Sequence, residues 1–173
     1  MNGGNCVATS ATDVQSGGSL PLSEYVVQVD GTDVLDPNDL KPVLLGLYGE
    51  VGGIMSAAKK HVREGAAFPG FRKAAEEEFG DTLWYFAALC RRLGYSLDEI
   101  FTQTIDARPY TRIGAASDCS SGALAQVMVP VGPIQLDAVL FDLGQAASKL
   151  LVAAPSREDL LRFAGFYLDA MHA

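Results

Sequence analysis

Two long stretches of helical periodicity, parted by a loop that cannot continue a helix, constrain this chain more than any other feature. Leu44, Leu47, Val51, Ile54, Met55 and Ala58 recur at the spacing that lines one helix face. Phe79, Leu83, Phe86, Ala87, Cys90 and Leu93 repeat the pattern further on. Gly65, Pro69 and Gly70 stand between them and break the helix. The first helix is predicted to start near Asp36 or Asn38, both good caps, and to run to about Val62. The second is predicted over about Phe71 to Leu93, stopping at Gly94. A loop this short makes the two helices antiparallel neighbours.

The rest of the chain is read around that hairpin. Residues 1–20 are rich in Gly, Ser, Thr and Asn and are expected to form a mobile arm. A short helix follows from Pro21, with Leu22, Tyr25, Val26 and Val29 on one face, and residues 30–37 read as a connection. Ser96 with Glu99 three residues later has the form of a capping box for a helix that fades before Pro109. The helical region therefore spans 21–108. Residues 109–132 show little periodicity and read as a linker or lid, with a short extended piece at Val127–Val131. Helices over about 133–153 and 156–172, split by Pro155, form a C-terminal α-hairpin within 133–173. No segment alternates cleanly as a strand does, so the expected fold class is all-α, a bundle of two α-hairpins.

Composition narrows the function. The 173 residues suit one core, and they carry 21 acidic and 13 basic side chains, a net charge of -8. So acidic a chain is ill suited to nucleic acid or anionic membrane, since both need clustered Lys and Arg. A small polyanion could still bind through a divalent cation. Three cysteines, Cys6, Cys90 and Cys119, with no CxxC pair argue against a disulfide framework or a zinc site. There is no apolar run of bilayer length and no secretory pattern at the N-terminus, so a cytoplasmic protein is expected.

The chemistry lies in the acids of the first hairpin. Glu78 and Asp81 are spaced i,i+3 and project from one helix face. The short loop would bring Glu50 of the preceding helix towards them. Three converging carboxylates repel unless a hard cation such as Mg²⁺ or Mn²⁺ neutralises them. The same EEE run at 76–78 also suits a solvated helix start favoured by the macrodipole, and spacing alone does not choose.

The segments LGLYGEVGGIMSAAKKHVREG and EEEFGDTLWYFAALCRRLGYSLDEI add a resemblance. Together, over about residues 22–105, they resemble the MazG-like all-α nucleoside triphosphate pyrophosphohydrolases, which are related to the dimeric dUTPases. That family carries ExxE on one helix and ExxD on the next. The resemblance implies metal ligands at Glu50, Glu78 and Asp81, with Mg²⁺ or Mn²⁺ as cofactor. It implies a nucleoside triphosphate substrate cleaved to the monophosphate and pyrophosphate, with Glu50 or the nearby Glu77 accepting the proton of the attacking water. Lys60, with His61 or Arg63, would contact phosphate, although a basic helix end is also what the C-terminal dipole favours. Tyr85 would stack on a base, although an aromatic on an apolar helix is usually core. A homo-oligomer or a subunit of a hetero-complex is expected. The chain departs from the pattern at Gly53, where the second acid of ExxE should stand. The departure implies a weakened enzyme or a nucleotide-binding sensor or regulatory subunit without turnover.

The C-terminal hairpin can be laid on the first. LGQAASKLL then falls on YGEVGGIMS, and REDLLRFAGFYLDAM on AEEEFGDTLWYFAAL. In that register Gln145 stands for Glu50, Leu160 for Glu78 and Phe163 for Asp81, and Tyr167 matches Tyr85. Either this is a degenerate repeat that lost its acids, or two amphipathic hairpins align by period alone.

Overall fold

The computed structural model describes residues 20–108, 110–112, 128–130, 135–151 and 154–173. All of the expected arm but Leu20, and most of the expected linker, lie outside them, as do Cys6 and Cys119. The chain is all-α. Six helices are described: α1 (Leu22–Thr32), α2 (Lys41–Glu64), α3 (Phe71–Arg92), α4 (Leu97–Asp106), α5 (Leu136–Leu150) and α6 (Arg157–His172). No described helix is long and apolar enough to cross a membrane.

α1 runs three residues into the expected connection, through Gly31, and the Thr32 hydroxyl donates back to the Gln28 carbonyl at 2.9 Å. α2 begins later than its sequence suggests. Asp36 and Asp39 spend their carboxylates on the backbone N–H groups of Asn38 and Lys41, at 2.8 and 2.9 Å, making turns rather than caps. Pro42 then sits in the first turn of the helix, where its missing N–H costs nothing. Gly65 at φ 53° and Gly94 at φ 76° close α2 and α3 in the backbone region that favours glycine. The Ser96 hydroxyl accepts the Glu99 N–H at α4, and Ser156 with Asp159 forms a reciprocal capping box at α6.

One element was not legible. Tyr110–Arg112 (β1) pairs antiparallel with Met128–Pro130 (β2), Thr111 facing Val129. The second strand falls inside the expected extended piece. The first follows Pro109 directly, and three residues are too few to show alternation.

α2 with α3, and α5 with α6, form two antiparallel hairpins around one core, with α4 packed on α6. Phe86 lies 4.8 Å from Phe163 and 6.0 Å from Phe101, centroid to centroid, so aromatic rings from three helices meet at the centre. Cys90 is buried in the same core, which pushes its thiol up to about 12 and makes it an inert hydrophobe. A Cβ built on Gly144 would fall on the end of Met55, so this glycine leaves room for the tip of that side chain between α5 and α2. Asp33 and Arg92 form an ion pair that is almost wholly buried, their side chains 0% and 1% exposed. Arg92 also donates to the Leu35 carbonyl, and Arg91 reaches Asp33 and Asp30. The pair ties the α1–α2 connection to the end of α3. The Arg92 hydrogen bond, against the opposing effect of burial, holds the Asp33 carboxyl down at about 2.

Candidate functional site

Three contacts set the register of the first hairpin. A Cβ built on Gly46 would strike the Tyr85 ring, and one built on Gly53 would strike the Glu78 carboxyl. His61 stacks on Phe71 at 4.1 Å. Each step towards the start of α3 thus matches one towards the end of α2, as in any antiparallel pair. In this register Glu50 stands opposite Asp81 and Thr82.

The acids meet accordingly. The Glu50 and Glu78 carboxyl groups lie within hydrogen-bonding reach of each other, and the Asp81 charge acts on both Glu50 and Tyr25. The Glu50 carboxyl is pushed up from its ordinary range, first by burial, then by the contact with Glu78 and the negative charge of Asp81. Two carboxylates this close share either a proton or a cation.

Gly53 has a structural reason. The Glu78 carboxyl occupies the space a side chain at 53 would take, but it is the far end of a flexible side chain and can swing aside. Gly52, by contrast, has open space around it. The helix thus tolerates two neighbouring glycines for unequal reasons.

The remaining candidates separate from the acids. Lys60 lies ten residues beyond Glu50, about 15 Å along the axis at roughly 1.5 Å per residue. Its ammonium sits 4.0 Å above the Phe68 ring, and Arg63 is paired with Glu64. His61 lies further along the helix with Phe71, not beside Glu50. Glu77 is exposed, and no hydrogen bond or ion pair joins it to a described residue. Tyr85 is half-buried, packed on Gly46 and edge-on to Trp84 at 5.0 Å, while the Trp84 N–H donates to the Thr32 hydroxyl. The structure therefore brings together Glu50, Glu78 and Asp81, and leaves Glu77, Lys60, His61, Arg63 and Tyr85 in other surroundings.

Two neighbours of the acids had no sequence signal as site residues. Tyr25 reads as one more apolar position of α1, yet its phenol is pushed up to about 12 by burial and then by Asp81. Thr82 is fully buried at the α2–α3 contact, and its hydroxyl has no hydrogen-bond partner among the described residues. Only the packing of three helices makes either visible.

In donor chemistry this set suits a hard divalent cation, all oxygens and no sulfur or imidazole. In arrangement it does not fit one: among the described residues no group of three or more acidic, histidine or cysteine side chains is placed to hold a metal. Glu78 lies over Gly53 rather than beside both of its partners. No family model matches the chain, and no curated protein or solved structure matches it.

Proposed function

We propose that this chain is a MazG-like, metal-dependent nucleotide pyrophosphohydrolase of weakened activity. The observation that supports the reading is the contact between Glu50 and Glu78 across the hairpin, with Asp81 beside them. Acids are rarely set against one another, even half-buried as Glu50 and Glu78 are beside the exposed Asp81, without a proton or cation to reconcile them. With the Glu78 carboxyl swung off Gly53, Glu50, Glu78 and Asp81 are the residues that would hold Mg²⁺ or Mn²⁺. Such a cation supplies phosphate neutralisation and an acidified water.

A second reading is favoured by the position of Glu78. With its carboxyl resting on Gly53, the site lacks a fourth acid and does not close around a cation. A nucleotide-binding sensor or regulatory subunit without turnover accounts for that geometry, as a homo-oligomer or within a larger assembly.

Pyrophosphate release measured against canonical and modified nucleoside triphosphates, with Mg²⁺ and with Mn²⁺, separates the two. Detectable release that Asp81→Ala abolishes, with helix content intact, supports the enzyme. Cation-dependent nucleotide binding without release supports the sensor. If neither release nor binding occurs, or Asp81→Ala leaves both unchanged, the acidic site is not the functional one. Gly53→Glu places an acid one turn from Glu50 but must displace the Glu78 carboxyl. It should raise release in the enzyme and leave turnover absent in the sensor.

A further inference from the structure

α2 carries glycines at 46, 49, 52 and 53, and packing within the chain accounts for only some of them. Gly46 and Gly53 face Tyr85 and Glu78 across the first hairpin, whereas a Cβ on Gly49 or Gly52 would meet nothing within 4 Å among the described residues. A glycine inside a helix weakens it relative to alanine, and here nothing in the chain uses the space it leaves. These two glycines lie on the face of α2 turned away from the core, in a row with Leu45, Tyr48 and Ser56. Leu45 is 74% and Tyr48 44% exposed, yet between Lys41 and Lys59 this exposed row holds no charged side chain. The solvent face of a helix is ordinarily charged. Leu45, Gly49, Gly52, Ser56, Lys59 and Arg63 follow one another at steps of four and three, the spacing by which one helix seats along another. Charge is confined to the two ends of the row and differs in sign between them. Asp36 and Asp39 outweigh Lys41 at the start, while Lys59, Lys60 and Arg63 outweigh Glu64 at the end.

We propose that this face of α2 binds a second copy of the chain, the two α2 helices running antiparallel about a two-fold axis between Gly49 and Gly52. A two-fold interface pairs residue i with j and j with i, so the surface must complement itself. This one does so when the helices run antiparallel. Gly49 then lies against Gly52 of the second copy, and the absent side chains let the two backbones come close. Leu45 falls beside Ser56 of the second copy, and Asp39 comes opposite its Lys60, so the acidic start of each helix meets the basic end of the other. A parallel pair would instead set like charges together. Association takes Leu45 and Tyr48 out of water, where the single chain leaves them. Glu50 lies on the face of α2 that meets Glu78 of α3. The pairing is therefore separate from the acids and stands whether or not the chain cleaves nucleotides.

Sedimentation velocity of the full chain, over a concentration series up to about 100 μM, reads the association. Wild type should pass from one chain to two as concentration rises. Below the dissociation constant the chain is single, and substitutions in α2 then report on the helix alone. Gly49→Leu has room in the single chain and raises helix propensity, so it should fold, as circular dichroism checks. It should weaken the dimer by about tenfold or more, because the added bulk enters the interface twice. Lys60→Glu should weaken it by about tenfold, because symmetry turns two ion pairs into repulsions at once. Adding Asp39→Lys to Lys60→Glu restores opposite charges and should recover most of that loss, which a parallel pair would not do. The proposal is overturned if wild type stays a single chain at every concentration, if folded Gly49→Leu associates as wild type does, or if Asp39→Lys fails to repair the loss from Lys60→Glu.

Discussion

The α2–α3 hairpin keeps two carboxyl groups in contact where its helices meet, whereas the α5–α6 hairpin fills its interface with carbon. Leu143, Ala147, Leu160 and Phe163 are each 1% exposed or less. In the alignment of the two hairpins, Leu160 and Phe163 take the places of Glu78 and Asp81, and the counterpart of Glu50, Gln145, is exposed. The matched tyrosines also diverge: Tyr85 leans on Gly46, while Tyr167 sinks into the core and hydrogen-bonds to α3. The same supersecondary plan can therefore hold a fold together or set charges against one another. Both hairpins stabilise through burial, Leu47, Val51 and Phe86 of the first being 1% exposed, but the first also carries groups whose proximity opposes folding.

That contrast breaks first if the carbon-filled interface of the second hairpin stabilises little. Phe163→Ala should cost about 3–5 kcal/mol, as large core truncations do, read as a lowered midpoint in urea. A loss below about 1 kcal/mol would show that the ring cluster with Phe86 matters little.

The ion pair that braces the end of α3 sets the next scale. The Asp33 carboxyl is held at about 2, below its ordinary 3.8. A depressed carboxyl contributes stability above its unfolded pKa and loses it as pH falls through the folded value. Stability should therefore drop by on the order of 2 kcal/mol between about pH 5 and pH 2. Asp33→Asn should lose that acid dependence. An equal acid loss in the variant would assign the effect to other carboxylates.

The glycines of α2 sharpen the comparison from within one helix. Gly46→Ala drives a methyl into the Tyr85 ring and should destabilise by about 1–3 kcal/mol, the usual cost of overpacking. Gly52→Ala meets open space and should stabilise by up to about 1 kcal/mol through helix propensity. Thermal melts of both variants check the pair, and equal shifts in the same direction would refute the register drawn through Gly46 and Tyr85.

The smallest effect probes the acids directly. Glu78→Gln removes one like charge from the contact with Glu50 and should raise stability by up to about 1 kcal/mol without added cation. Mg²⁺ should raise the melting temperature of wild type more than that of the variant. A variant less stable than wild type in cation-free buffer would mean that the Glu50–Glu78 contact is favourable as it stands.

Much of this was legible beforehand because helical period, glycine stops and caps are local. The ranges of α3 and α6, the stops at Gly65 and Gly94, and the Ser156 cap follow from residues within a turn or two of each other. The acids Glu50, Glu78 and Asp81 were legible as candidates because their helices are neighbours through a short loop. The surroundings of Lys60, His61 and Tyr85 were not, since Phe68, Phe71 and Gly46 claim them through contacts that no spacing rule encodes. The start of α2 also escaped, because Asp36 and Asp39 can cap a turn as readily as a helix.

What the chain's own order of residues determined is its helices, their antiparallel pairing and the acidic character of one face. These depend on period and loop length, which act over a few residues. The tertiary structure alone decided the rest. It laid Glu78 over Gly53, sank Tyr25 towards Asp81, left the Thr82 hydroxyl without a partner among the described residues, and opened an apolar groove between the hairpins. Each of these depends on how closely two or three separate helices approach. That distance is set by side-chain volumes summed across the whole core, a quantity no single segment contains.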